Sequence, residues 1–490
     1  MKPALNLGAW RNLNGAAGGS ALWVPASHLV THGVVVGMTG SGKTGLVTVL
    51  IEEVAKAHVP TIVIDVKGDL PNLLLAFPSF DPKLIEPWVE LEREGMSPEE
   101  IAARVVEATN QRSSALSAWG IGEPELRAYA RGIDVRILTP GGSAGEPLHM
   151  LSSLERRSSR WDVDPEAARD SLSAAVSLVL RLLGREHDPA KSREHVFLSV
   201  LAERRLAAGQ TADLAALMED VLVPPIERIG ALTVDAFIKK TERRALAAAL
   251  NSLLASPTFA SWRTGATLDI AEWVKPKAKR TPIIIVSVAH LDDAERALVL
   301  GVLLEEVLSW VRTLPGSQRL KALLVFDEVY GFLPPHPANP PTKRPLVALM
   351  KQARGFGVGV VVATQNPMDL DYRALSNAGL WFLGRLQTDA DRARVLDGLA
   401  VAAGTHNAPD AGLKHALQRL APRWFMVRNA HVPSPPLLLQ PRYAMSLLRG
   451  PMTRGEIRAA RGVNVPEASE TAPSAVAPPC NTFSTMSEAL

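Results

Sequence analysis

Gly37-Met38-Thr39-Gly40-Ser41-Gly42-Lys43-Thr44 places two glycines, a lysine and a threonine in the spacing G-x-x-x-x-G-K-[ST], with a third glycine, Gly40, between them. Each residue type has a physical reason. Glycines let the backbone curl so that several N–H groups aim at one anion, and a helix starting here adds its positive end. This is chemistry for the phosphates of a nucleotide. Gly37, Thr39, Gly40, Ser41 and Gly42 would cradle them, Lys43 would reach the β- and γ-phosphates, and the Thr44 hydroxyl would be a ligand of Mg²⁺. The plain alternative is a flexible glycine turn.

A second constellation, Leu323-Leu324-Val325-Phe326-Asp327-Glu328, is an apolar run ending in two carboxylates. Asp327 stands where a carboxylate would hold Mg²⁺ through water, and Glu328 where a base would direct the attacking water. A strand that simply ends in solvated acids is the alternative. A third, Ala363-Thr364-Gln365-Asn366-Pro367, follows another apolar run. Gln365, and secondarily Thr364, is placed to sense the γ-phosphate or position water, unless it merely caps a loop.

These groups need a scaffold that brings them together. Val34 to Met38 and Pro60 to Val66 read as buried strands, and Thr44 to His58 between them carries apolar residues at helical spacing. That makes one βαβ unit and predicts a parallel sheet. A second block follows from residue 281. Strands are expected at Pro282–Ala289, Leu320–Phe326 and Gly357–Ala363, with helices at Asp292–Thr313 and Pro345–Arg354. The apolar runs predict a sheet covered on both faces. Between the blocks helical patterns dominate, with starts at Ser97-Pro98-Glu99-Glu100 and Asp164-Pro165-Glu166 and further helices at 193–207, 211–220 and 234–255. The expected division is a short segment 1–30, an ATPase core at 31–75 and 280–430, a mostly helical insertion 76–279 with one core strand near 134–138, an extension 431–465, and a disordered tail 466–490.

The chain of 490 residues is 47% apolar and 21% charged, which suits a folded protein with a sizeable core. Lys plus Arg number 53 and Asp plus Glu 50, so the net charge of +3 excludes histone-like basicity. The single cysteine, Cys480, excludes a disulfide scaffold. The N-terminus lacks the apolar core of a signal peptide, and no run reaches the roughly 18 apolar residues of a membrane span. Cytoplasmic location without membrane insertion is the expectation.

The ordered motifs resemble the HerA/FtsK superfamily, and HerA-like proteins in particular. The resemblance rests on His32 through Thr44, on Val63-Ile64-Asp65-Val66-Lys67-Gly68-Asp69-Leu70, on Thr139-Pro140-Gly141 through Pro147-Leu148, and on Gln352-Ala353-Arg354-Gly355-Phe356-Gly357 through Pro367. It covers about residues 30–75 and 280–430 well and the middle weakly. It implies an α/β fold with a RecA-like P-loop NTPase core, a mainly parallel central sheet and a large α-helical insertion. It also implies ATP and Mg²⁺ as cofactors, homo-oligomeric hexameric rings with ATP between subunits, double-stranded DNA in the central channel, and pairing with a nuclease. Arg354 then matches an arginine finger that reaches the neighbour's γ-phosphate, and Arg385 is a second candidate. Asp65 matches an acidic position with either a turn-building or a catalytic role. About 30 residues precede the core, fewer than the N-terminal β-barrel of HerA proteins would need.

The reading is thus an ATP-hydrolysing motor of the HerA type that acts on double-stranded DNA as a translocase or helicase. The alternatives are a protein-trafficking ATPase of the secretion or conjugation type, or an ATP-regulated scaffold with slow hydrolysis. Two basic groups are candidate DNA contacts: Lys239, Lys240, Arg243 and Arg244, and Lys275, Lys277, Lys279 and Arg280.

Overall fold

The structure is a computed structural model that describes residues 3–463, apart from 14–15, 20, 90–95, 156, 158–159, 369, 372–373, 404–410 and 433–434. The tail 466–490, with Cys480, lies outside the described residues. Seven strands form the centre: β1 (Gly33–Val36), β2 (Thr61–Asp65), β3 (Ile133–Pro140), β4 (Thr281–Ser287), β5 (Ala322–Asp327), β6 (Val358–Thr364) and β7 (Leu380–Leu383). They lie in the order β3-β4-β2-β5-β6-β1-β7, all parallel. One strand, β6, therefore separates the strand that leads into the glycine loop from the strand that ends in Asp327.

The apolar runs make these strands because both sheet faces are covered. Alternate residues enter different layers. Val34, Ile62, Ile64, Ile284, Leu324, Phe326 and Val362 pack on one side. Val35, Val63, Ile283, Ile285, Leu323, Val325 and Ala363 pack on the other. Helix α1 (Lys43–Lys56) covers the second side with Leu46, Val49, Leu50 and Val54. Helix α2 (Asp293–Thr313) covers the first. It starts at a reciprocal cap, where Glu295 N–H donates to Asp292 Oδ1 (2.7 Å) and Asp292 N–H to Glu295 Oε2 (3.2 Å). Among the described residues no helix is long and apolar enough to cross a membrane.

The sheet reaches beyond the expected core on both sides and numbers 13 strands. Past β3, the middle segment adds Glu146–His149 and Ala266–Thr267 in parallel. It thus contributes three strands to the sheet rather than one. Past β7 come four antiparallel strands: β8 (Phe425–Asn429), β9 (Leu437–Pro441), Gly8–Asn12 and Ala17–Gly19. Both the first thirty residues and the segment after residue 430 therefore contribute strands to the sheet. The helix expected over 234–255 is divided, with Val234–Phe237 followed by Lys240–Ala255. Ile238 is extended between them, and the Glu242 carboxylate accepts the Lys239 N–H (3.0 Å), which starts a new helix there.

Segments flanking the core on both sides, around Asn6 and around Arg442, are tied to α1 through buried charges. The Arg442 guanidinium, 3% exposed, meets Glu52 Oε2 at 2.8 Å and Glu53 Oε1 at 2.9 Å. The Met445 and Ser446 N–H groups donate to Glu52, and Asn6 N–H donates to Glu53. Losing one partner of such a buried group strands the others without water, whereas its net worth against an apolar replacement is small. Arg442→Ala should therefore cost about 3–5 kcal/mol, visible as a lower midpoint in urea denaturation; an unchanged midpoint would contradict the clamp.

Candidate functional site

The glycine loop leaves β1 at the C-terminal edge of the sheet. Gly37 N–H donates to Thr364 O (3.2 Å) and Met38 N–H to Arg385 O (3.0 Å), which hangs the loop between β6 and β7. A Cβ on Gly37 would collide with the Ser41 hydroxyl, so a side chain there would push the loop apart. Gly42 has φ 91°, the left-handed conformation that suits glycine, and no side chain caps α1. The first N–H groups of α1 are thus left for an external acceptor. Lys43 and Thr44 stand at the head of α1, with Lys43 buried and Thr44 half-buried.

Glu328 lies at the centre of the site. Its Oε2 receives Lys43 Nζ (3.2 Å) and Lys67 Nζ (2.6 Å). Its Oε1 receives the Thr364 hydroxyl (3.2 Å) and the Gln365 N–H (3.1 Å). The backbone at Glu328 has φ 62°, unusual for a residue with a side chain, and the four donors hold it there. Burial would raise this carboxyl, but the Lys43 charge, the Lys67 hydrogen bond and the Gln365 N–H together bring it below its ordinary value. Gln365 reaches back to the loop, where the Thr39 hydroxyl donates to its Oε1 (2.9 Å).

Asp327 is 1% exposed, and its Oδ1 has no hydrogen-bond partner among the described residues. Burial pushes this carboxyl up to about 6, against the pull of Lys43. A buried carboxylate with an unused oxygen beside a phosphate-binding loop fits a divalent cation, which needs hard oxygen donors. Asp65 pairs in register with Asp327. It accepts the Gly68 N–H (3.0 Å) and the Ser287 hydroxyl (2.9 Å), and so builds the turn that carries Lys67. Burial and the Asp327 charge push it up to about 7.

The structure thus brings together Gly37, Thr39, Gly40, Ser41, Gly42, Lys43, Thr44, Asp327, Glu328 and Gln365. Arg385 is exposed at the rim of the same loop. Arg354 is not at this site. It sits in the turn Ala353–Phe356 before β6, at the opposite edge of the sheet, and is exposed. The seven residues of β6 separate the two ends by about 20 Å. Beside Arg354, His32 is buried with its Nδ1 accepting Val360 N–H (3.1 Å), and burial lowers it to about 4, helped by the Arg354 charge. Lys67 was legible only as part of a family motif; its grip on Glu328 needs the fold.

Part of the basic groups is engaged internally. Arg243 is buried and paired with Asp235, and Arg280 Nε donates to Ile133 O (2.5 Å), while Lys275 makes a surface pair with Glu272 (2.8 Å). Lys239, Lys240, Arg244, Lys275, Lys277 and Lys279 are exposed.

The two raised carboxyls have a consequence for stability. Between their unfolded value of 3.8 and their folded values of about 6 and 7, the native state binds the extra protons. Their contribution to the stability of the nucleotide-free protein therefore falls as pH rises through that window. Asp65→Asn, which keeps an acceptor for Gly68 and a donor toward Ser287, should make the melting temperature less sensitive to pH between 4.5 and 8. Identical slopes for variant and parent would count against the assignment.

Residues 24–131 match the family model described as the central domain of helicase HerA. Among curated proteins nothing matches. Among solved structures, VirB4 of Thermoanaerobacter pseudethanolicus is 15% identical with a TM-score of 0.50, over 91% of this chain and 98% of that one. The plasmid coupling protein TrwB in complex with ADP and Mg²⁺ is 13% identical with a TM-score of 0.47, over 88% and 89%. The sheet order, the glycine loop between β1 and α1 and the carboxylates at the end of β5 give the chain the fold of a P-loop ATPase core, and its residues 24–131 are similar to the central domain of helicase HerA.

Proposed function

We propose that this chain is an ATP-driven motor on double-stranded DNA and that it works as a ring, most simply a hexamer. The observation that carries the hydrolytic part is the Glu328 carboxylate, held by Lys43, Lys67, Thr364 and Gln365 beside the phosphate loop. Loop N–H groups and Lys43 bind the β- and γ-phosphates. Thr44 and Asp327 hold Mg²⁺, which when bound neutralises phosphate charge. The arrival of a γ-phosphate gives Lys43 a stronger partner, so Glu328 loses one of its two cations. Its Oε2 is then open to accept a proton from water attacking the γ-phosphorus. Gln365, bonded to both Glu328 and Thr39, registers whether that phosphate is present.

The ring reading is supported by the place of Arg354. Its exposed side chain stands some 20 Å from its own phosphate loop, so it serves only a neighbouring copy's γ-phosphate. Arg385, at the rim of its own loop, is better placed to act within one chain. The DNA reading is supported by the HerA match and by the exposed Lys239, Lys240, Arg244 and Lys279. The engagement of Arg243 and Arg280 inside the chain favours the second reading, a motor that moves polypeptide in secretion or conjugation.

Glu328→Gln should abolish turnover, about 10²-fold or more, while leaving ATP binding intact; unchanged hydrolysis would remove Glu328 from the role of base. ATPase rates with and without linear duplex DNA at low and moderate salt separate the two substrates. Stimulation that weakens with salt supports DNA, and none at either salt supports the polypeptide motor. Mixing Arg354→Ala with Lys43→Ala protein should restore activity that neither has alone, because mixed rings pair an intact loop with an intact finger. Mixtures no more active than their parts would place Arg354 outside the reaction.

A further inference from the structure

The flank of the phosphate loop away from Glu328 carries side chains that phosphate chemistry does not use. Arg423 lies just ahead of β8, and its N–H donates to Ser41 O (2.9 Å). It packs so closely on the loop that a Cβ on Gly42 would sit 3.0 Å from its Cγ. Its backbone has φ 63°, which a long side chain adopts at a cost, so the position is held by its surroundings. The guanidinium lies 3.7 Å from the centre of the Tyr443 ring, and its Nη2 donates to Pro441 O (3.3 Å). Tyr443 is 44% exposed. Its neighbour Arg442 donates to Tyr443 O (2.7 Å) and is clamped to Glu52 and Glu53 on α1, the helix that starts at the phosphate loop. An exposed aromatic ring and a planar cation are thereby fixed to the loop from two directions.

Topology decides what can lie there. Lys43, Glu328, Thr364 and Gln365 mark the γ-phosphate end, on the side of β5 and β6. The triphosphate must then run across the loop, and the nucleoside leaves on the other side. That side is built by β7, β8 and β9, whose ends at this edge of the sheet carry Arg423 and Tyr443. A flat π-system next to a guanidinium is a surface for a nucleobase, which stacks on it by its face.

We propose that Arg423 and Tyr443 form the platform for the base of the bound nucleotide, with the purine ring stacked on the exposed side of their pair. This rests on the phosphate loop holding a nucleotide, and the test separates the two claims. Binding of ATP and of inorganic tripolyphosphate, both with Mg²⁺, is measured by titration calorimetry on the full chain and on Tyr443→Ala and Tyr443→Phe. Tripolyphosphate has the phosphates and lacks the base. Tyr443→Ala should weaken ATP about tenfold, leave tripolyphosphate within about twofold, and be matched by no loss in Tyr443→Phe. ATP affinity unchanged in Tyr443→Ala overturns the platform. So does a parallel loss of both ligands, which would make Tyr443 a support of the loop. A parent chain that binds neither ligand overturns the nucleotide site and the platform with it.

Discussion

The site depends on one carboxylate. Glu328 receives four donors from three separate pieces of chain: the head of α1, the turn after β2, and the end of β6 with the residue that follows it. Without it Lys43 and Lys67 would stand beside each other with their charges uncompensated and would repel. The same four donors hold the backbone of Glu328 in a conformation it would not choose alone. The strain is local and is offset by charge-assisted hydrogen bonds, which are the stronger kind. Anything that draws Lys43 away loosens the whole arrangement, and the phosphate chain of a nucleotide is the ligand best able to do so.

Around this point the fold acts as a frame. The parallel strands bring the glycine loop, Asp327 and Gln365 to one edge because βαβ units run the same way and their C-terminal ends coincide. The segments around Asn6 and Arg442 close the frame from outside the parallel sheet. Arg442 and Asn6 converge on Glu52 and Glu53, between two and three turns along the helix whose first residue is Lys43. The stability of the phosphate loop is therefore shared with residues far away in sequence.

Much of the catalytic edge was legible in the sequence, because phosphate binding imposes a short local pattern and buried parallel strands impose long apolar runs. Lys43, Asp327, Glu328 and Gln365 fall within a hydrogen bond or two of one another because the runs that precede them are neighbouring strands. What stayed hidden depends on distant pairing. Lys67 is an ordinary turn lysine until β2 lies next to β5. Gly8–Asn12 and Leu437–Pro441 are weak strands that form because they pair with each other, a partnership across more than 400 residues that no local signal announces. The split at Ile238 was missed for the opposite reason, since apolar spacing continues through a break that one capping glutamate creates.

The long sheet ends in very short strands. Ala266–Thr267 closes one side with two residues and Ala17–Gly19 the other with three. An open sheet of 13 strands would otherwise offer two templates for strand addition, and uncontrolled growth of that kind leads to aggregates. Here each border exposes too few unpaired backbone groups to recruit another chain. The borders of the sheet are thus closed to growth by strand addition, and any contact between copies must be made by side chains, whose matching in angle sets whether an assembly closes or extends.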